Sequence, residues 1–311
     1  MKTFLALTER NMKLFFKDKG LFFTSLITPI ILLVLYIAFL ANVYKSSMLS
    51  AIPEGFDMPE SIVNGVVGGQ LFSSLLAVIT VTVAFCSNMI MVQDKINGVN
   101  NDFSITPLKK PISALSYFVS TMTVTVIICL VATVVSFIYI GCTGWYMSAG
   151  DVFLLLLDTF LLTLFGTALS SLINCFCSTQ GQMQAVGTIV SAGYGFICGA
   201  YMPLSQLSSG LQSVATLLPG TYGTALVRYH ALRGVMSEML NVGVPSEVVE
   251  GIKDSIDCNI YFFGHAVSEG AMYGVLVLFS VLTIGAYILA MTLLSKRKGG
   301  EGKRLKKKSK K

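Results

Sequence analysis

Residues 61–93 read SIVNGVVGGQLFSSLLAVITVTVAFCSNMIMVQ, a run without a single Asp, Glu, Lys or Arg. An α-helix rises about 1.5 Å per residue, so about 20 apolar residues cross the roughly 30 Å hydrocarbon core of a bilayer. Helices of soluble proteins, at about 8–20 residues, do not need such runs. Four further stretches are equally free of charge: 20–44, 111–150, 159–227 and 270–295.

The overall composition indicates the same class of protein. Only 12% of the 311 residues are charged, whereas 54% are of apolar types. A soluble domain carries about 25% charged residues, which hydrate its surface. Because this chain has about half that amount, the sequence predicts an all-α polytopic membrane protein.

Six transmembrane helices account for the apolar runs once the longest run is divided at its polar turn, residues 178–182. The chain then forms one membrane domain, residues 1–295, followed by a basic tail, residues 296–311. The predicted spans are residues 21–42, 66–92, 112–140, 152–175, 183–203 and 270–294.

The basic residues indicate how these spans are oriented. An even number of spans places both termini on one side, and that side holds 18 of the 22 Lys and Arg residues. Cytoplasmic loops carry an excess of Lys and Arg. We therefore expect a multi-pass protein of the cell membrane with both termini in the cytoplasm.

Both ends of the chain suggest contacts with the lipid bilayer. Residues 1–19 form an amphipathic pattern typical of a helix at the membrane interface. The tail, residues 296–311, carries ten Lys and Arg residues that suit anionic headgroups. No nucleic-acid-binding fold accompanies this tail, so we expect no nucleic-acid partner. The basic residues on one face of the N-terminal helix are Lys2, Arg10, Lys13 and Lys17.

Catalytic and nucleotide-binding motifs are missing from the sequence. It contains no G-x-x-x-x-G-K-[ST] phosphate loop, no H-E-x-x-H zinc motif and no G-x-S-x-G nucleophile motif. The seven cysteines lack zinc or haem spacing, and a bridge between Cys142 and Cys258 stays an open possibility. We therefore expect no enzyme activity, no catalytic residue, no metal site and no cofactor in this chain.

One acidic residue, Asp158, falls inside a predicted span. An ionisable side chain at membrane depth suggests a functional site, but Asp158 also lies close enough to the start of span 4 to reach the outer interface. No chain of acids or histidines accompanies it in the sequence. This argues against a proton-coupled secondary transporter.

Span 2 carries a polar stripe at helical spacing. Ser73, Thr80 and Ser87 recur every seven residues, and Asn88 lies on the same side of the helix. Such a stripe either bonds to a neighbouring helix or lines a wet cavity, and the sequence leaves both interpretations open.

The polar segment after span 2, residues 93–110, reads QDKINGVNNDFSITPLKK. Asp94 can cap a helix of about two turns, which Pro107 ends. Its pattern of an acid, Gly98, Phe103 and a Thr-Pro pair resembles the coupling helix of the membrane subunits of type-two ATP-binding-cassette (ABC) exporters. The sequence departs from that pattern at Ile96, where a second acid is common, and at Val99, where Thr is common.

A second stretch is similar to the end of span 5 in the same family. It begins with Gly199-Ala-Tyr-Met-Pro-Leu-Ser-Gln-Leu207 and continues with Leu218-Pro219, Tyr222, Arg228 and Gly234. The two stretches together are more specific than either alone, and the family's order of elements covers nearly the whole chain.

This resemblance implies an N-terminal interfacial helix, six spans, and short re-entrant helices outside between spans 5 and 6. It implies pairing with a second copy or a related permease, and with a separate ATPase subunit that binds ATP and Mg²⁺. The expected function is outward transport driven by ATP hydrolysis in that partner; the alternative is an ATP-independent secondary transporter or channel. The sequence does not identify the substrate or decide between a homodimer and a heterodimer.

The resemblance also implies two sets of site residues. Those expected to couple the chain to the ATPase are Asp94, Lys95, Asn97, Gly98, Asp102 and Phe103. Those expected along the transport path are Ser73, Thr80, Ser87, Asn88, Ser191 and Tyr194.

Overall fold

The computed structural model describes residues 2–52, 58–99 and 110–308. These residues fold into helices joined by short turns, with one hairpin, β1 Tyr261–Phe262 and β2 His265–Ala266. The first helices are α1 Lys2–Lys17, α2 Lys19–Leu35, a π-helical turn Tyr36–Leu40, α3 Ala41–Ala51, α4 Glu60–Ser87, α5 Met89–Ile96 and α6 Lys110–Thr143. The later ones are α7 Ala149–Asn174, α8 Gln180–Ile197, α9 Ser209–Ala215, α10 Pro219–Asn241, α11 Ser246–Ser255 and α12 Glu269–Lys308.

Five helical stretches of the described chain are long and apolar enough to cross a membrane. They correspond to five of the six predicted spans, and they confirm a polytopic, all-α membrane architecture. Their bounds are Lys19–Ser46, Glu60–Ile96, Pro111–Thr143, Ala149–Asn174 and Glu269–Leu294.

The predicted fifth span, residues 183–203, is the exception. It corresponds to α8, whose first turns carry three glutamines and which is not among those five stretches. The helix ends at Ile197, before the predicted boundary, because Gly199 adopts a φ of +70° and turns the chain away.

The first predicted span, residues 21–42, is too short at its C-terminal end. The helix continues through the π-helical turn into α3 and ends at Ala51. The physical reason is that residues 43–52 contain neither Gly nor Pro, whereas Pro53 disfavours a helical conformation in the residue before it.

Helix α4 forms the centre of the structure, and nearly all of its side chains are buried. It packs against α2, α6, α7, α8 and α10. The approach of α7 is close: a Cβ atom on Gly166 would lie 2.8 Å from the Thr80 carbonyl oxygen. Helix α2, by contrast, exposes large apolar side chains such as Phe23 and Ile27, as lipid-facing helices do.

The chain between the last two predicted spans contains a helix longer than the short ones that the resemblance implies. Helix α10 begins with Pro219 at its first position and is buried against α4, α7 and α12. A Cβ atom on Gly234 would lie 2.0 Å from the Tyr146 carbonyl oxygen, so this close packing requires glycine. The interior position of α10 explains why its sequence shows no polar face.

Candidate functional site

The predicted coupling segment begins as helix α5, which follows α4 after a break at Asn88. The Asn88 side-chain amide donates to the hydroxyls of Ser170 and Ser171 on α7, at 3.3 and 3.1 Å. These bonds fix the start of α5 against a neighbouring span. The segment is therefore held by tertiary contacts as well as by its own backbone.

Asp94 on α5 is the centre of a buried polar contact. Arg10 of α1 binds both carboxylate oxygens, with N–O distances of 2.6 and 3.0 Å, and the Tyr117 hydroxyl of α6 donates at 2.6 Å. This bidentate geometry matches the planar guanidinium to the planar carboxylate. The hydrogen bonds to Asp94 in turn raise the pKa of Arg10. Asp94 thus joins the N-terminal helix to α6.

Lys95 makes a second connection, to the end of α7. Its ammonium group donates to the carbonyl oxygens of Cys175 and Cys177, at 3.2 and 2.6 Å. A cation in this position also complements the partial negative charge of a helix C-terminus. Both charged residues of α5 therefore act within the chain.

These contacts qualify the prediction that the coupling residues touch a partner. The side chains of Asp94 and Lys95 are engaged inside the subunit, while Asn97 is exposed and Gly98 turns the chain with a φ of +80°. Ile96, which the sequence marked only as a departure from the family pattern, is 47% exposed despite being apolar. The remaining predicted coupling residues, Asp102 and Phe103, lie outside the described residues.

The predicted path residues of α4 face the interior of the chain. Ser73 and Thr80 have no exposed surface, and Ser87 is 3% exposed. The hydroxyls of Ser73 and Thr80 donate to carbonyls of their own helix, those of Gln70 and Ala77. Of the two interpretations of the polar stripe, the burial favours helix packing over a wet cavity.

The predicted path residues of α8 are placed differently. Ser191 is partly exposed, whereas Tyr194 is buried with its hydroxyl 3.4 Å from the Gly220 carbonyl oxygen. The surface that α8 exposes mixes polar and apolar side chains, including Gln184, Thr188 and Ile189. This surface differs from the uniformly apolar one of α2.

A cavity of about 200 Å³ opens between α3, α4, α11 and the turn that follows α8. Tyr44 and Gln70 contribute polar groups to its wall, and Pro203 and Ile252 contribute apolar ones. Gln70 lies one turn before Ser73 on α4 and borders this cavity, although only 1% of it is exposed.

Arg228 joins three parts of the chain around the second family-like stretch. It is 1% exposed and donates to the Gly199 carbonyl oxygen at 2.6 Å and to the Ser74 hydroxyl at 3.2 Å. Its other terminal nitrogen lies 3.4 Å from Asp257. Burial raises the pKa of Asp257, and the pairing with Arg228 limits that rise. Arg228 and Gly199 therefore form one structural unit.

Asp158, the acid inside predicted span 4, has a partner that sequence reasoning missed. The Nδ1 atom of His230 on α10 lies 2.6 Å from its carboxylate, and both side chains are fully buried. The available signal was weak: His230 is one of two histidines, both in the segment predicted to lie outside. The two cysteines considered for a bridge are both free, with Cys142 exposed and Cys258 buried.

The described residues contain no cluster of His, Cys, Asp and Glu side chains suited to a metal ion. The fold defines an all-α, polytopic membrane protein. A family model described as ABC-2 type transporter matches residues 2–232, and the chain belongs to this family. It is a membrane-embedded permease subunit of an ABC-type transporter. A comparison with curated proteins gives no match.

Proposed function

We propose that this chain is the membrane half of an ABC exporter that works as a dimer and moves its substrate outward. A separate ATPase subunit binds ATP and Mg²⁺ and supplies the energy. The observation that carries the proposal is the fixed turn at the end of α5. It presents Ile96 and Asn97 at the surface while Asp94 and Lys95 tie it to α1, α6 and α7.

The proposed topology has six spans, with α8 as the fifth crossing and both termini in the cytoplasm. The excess of Lys and Arg on the side of the termini supports this orientation. Helix α8 is shorter and more polar than the other spans, so a fully lipid-facing position would be costly for it. We place its exposed face against the second subunit, with Ser191 beside the transport path.

The proposed coupling mechanism follows from the contacts of α5. ATP closes the ATPase dimer, which pushes on the exposed turn at Ile96 and Asn97. Because Asp94 binds Arg10 and Tyr117, the push moves α1 and α6 together with α5 as a rigid unit. The cavity between the two subunits then opens to the outside.

The direct test is a pull-down of the tagged chain from its native membranes in mild detergent, followed by an ATPase assay. We expect an ATPase subunit with a phosphate loop to copurify. Ile96→Asp should abolish this association because it places a charge on the apolar docking surface. Asn241→Ala, an exposed position on α10, serves as the matched control and should leave the association intact.

A transport assay distinguishes the proposed ABC exporter from the alternative, an ATP-independent transporter or channel. Substrate efflux from vesicles should require ATP and continue when ion gradients are collapsed. A stable protein without an ATPase partner, active with an ion gradient alone, would instead establish an ATP-independent transporter or channel. An unchanged ATPase complex with Ile96→Asp would refute the docking surface proposed here.

A further inference from the structure

Ionisable side chains from three helices meet at one buried point between α7, α10 and α12. His230 Nδ1 lies 2.6 Å from Asp158 Oδ2, and His230 Nε2 lies 3.2 Å from Glu269 Oε1. The Tyr273 hydroxyl donates to the other oxygen of Asp158 at 2.5 Å. His230 and Asp158 are fully buried, whereas the Glu269 side chain, in the first turn of α12, is 43% exposed.

The number of protons in this cluster follows from its geometry. An ionised carboxylate only accepts hydrogen bonds, and a neutral imidazole has one N–H and one lone pair. With a neutral ring, one of the two close contacts would set a lone pair against a carboxylate oxygen. The proton of Tyr273 is already directed at Asp158. The arrangement therefore needs one further proton, and a ring protonated at both nitrogens satisfies both contacts.

The described cations around His230 have carboxylate partners of their own. Arg233, one turn further along α10, opposes a positive charge on His230 and lowers its pKa, but its guanidinium is paired with Asp151 at 2.6 Å. Tyr229 packs edge-on against the imidazole, with 5.2 Å between the ring centroids. Helix α4 carries no charged residue after its first position, and Lys253 of α11 is paired on its own helix. Without the extra proton, the cluster would hold two carboxylates and no compensating charge.

We infer that Asp158, His230 and Glu269 form a proton-binding site, with the proton carried on His230, that pins α10 to α7 and α12. Glu269 reaches the surface and gives protons access to the site. Loss of the proton turns one attractive contact into a repulsive one, and it loosens α10 at the point where the three helices meet. This inference concerns the chain alone and does not depend on an ATPase partner.

The pKa of His230 gives the direction of the pH effect. Burial alone would lower it, but Asp158 and Glu269 outweigh burial and raise it above the ordinary value of 6.5. A group whose pKa is raised in the folded state contributes its full stabilisation of the fold at pH values below its unfolded pKa. That contribution is lost as the pH rises through the folded pKa. The pinning of α10 is therefore complete below pH 6.5 and weakens toward alkaline pH.

The histidines themselves provide the test, because the chain has only two and the second, His265, is exposed in β2. NMR of the detergent-purified protein with ¹⁵N-labelled histidine reports the protonation of each ring nitrogen. Recorded across a pH titration, these spectra should show His230 losing its second ring proton at a midpoint above 6.5, the ordinary value for histidine. His230→Gln assigns the signals. A midpoint at or below 6.5 would overturn the inference.

Thermal stability provides a second readout. Wild-type protein should lose stability as the pH rises above 6.5 and passes through the raised pKa of His230, whereas His230→Gln should lose much less and His265→Gln should match the wild type. Glu269→Gln should lower the midpoint of the His230 titration by about one pH unit, because it removes one of the two carboxylates. Glu269 is partly exposed, so this variant remains testable even where Asp158→Asn fails to fold. Parallel losses in wild type and His230→Gln would contradict the pinning role.

Discussion

The Arg10–Asp94 pair allows a quantitative test because its two side chains differ in exposure. The Asp94 side chain is 7% exposed and that of Arg10 is 35% exposed. Arg10→Ala leaves a buried carboxylate whose remaining partner among the described residues is the Tyr117 hydroxyl, whereas Asp94→Asn leaves a guanidinium that water can reach. Breaking a fully buried pair costs about 3–5 kcal/mol. With one partner partly exposed, we expect about 2–3 kcal/mol for Arg10→Ala and about 1 kcal/mol for Asp94→Asn.

The assay is apparent thermal stability in one detergent, with the association of the ATPase subunit as a second readout. The double variant of Arg10 and Asp94 should cost about 1–2 kcal/mol less than the sum of the single variants, because the two residues are in contact. Lys13→Ala is the matched control on the same helix: its pair with Glu9 is 65% exposed on both sides, so its loss should leave stability nearly unchanged. A larger loss with Asp94→Asn, or strict additivity, would refute the reasoning.

Two further predictions concern packing and the second ion pair. Gly234→Ala should cost about 3 kcal/mol or more, because its Cβ would meet the backbone of Tyr146 at 2.0 Å. Gly210→Ala, with open space around it, should be neutral. Thermal unfolding of the two variants measures the difference. Arg228→Met should reduce the yield of folded protein sharply because it leaves Asp257 buried and unpaired. Adding Asp257→Asn should recover part of that yield, and no recovery would show that the Arg228 contacts to backbone and Ser74 dominate.

The sequence predicted the apolar helices well because their signal is local. Charge-free runs of more than 20 residues have few explanations other than a membrane span, and five of these predictions are confirmed. The extension of the first span into α3 was missed because Lys45 and several serines lower the hydropathy there without preventing a helix. Apolar composition indicates which residues lie in lipid. Whether a helix continues beyond them depends instead on the absence of helix-breaking residues such as Gly and Pro.

The polar contacts could not be predicted, because their partners are far apart in the sequence. Asp94 and Arg10 are 84 positions apart, and His230 and Asp158 are 72 apart. Asp94 was correctly identified as notable, but its residue type alone could not distinguish an exposed docking group from a buried one. Helix α10 posed the same difficulty, since its first half, residues 219–228, is buried on all sides and lacks the amphipathic periodicity that reveals a surface helix.

Helices α4 and α5 lie end to end in one helical stretch, Glu60–Ile96, with an anchor on each side of the turn at Asn88. Ser74, where Arg228 binds, and Asp94, where Arg10 binds, are about 30 Å apart along this stretch at 1.5 Å per residue. Because Asn88 is held by Ser170 and Ser171, we expect a displacement at one anchor to reach the other by translation of the stretch, without a relay of side chains switching in sequence. We expect spin labels near the two anchors to keep a constant separation through the transport cycle, while their distances to the second subunit change.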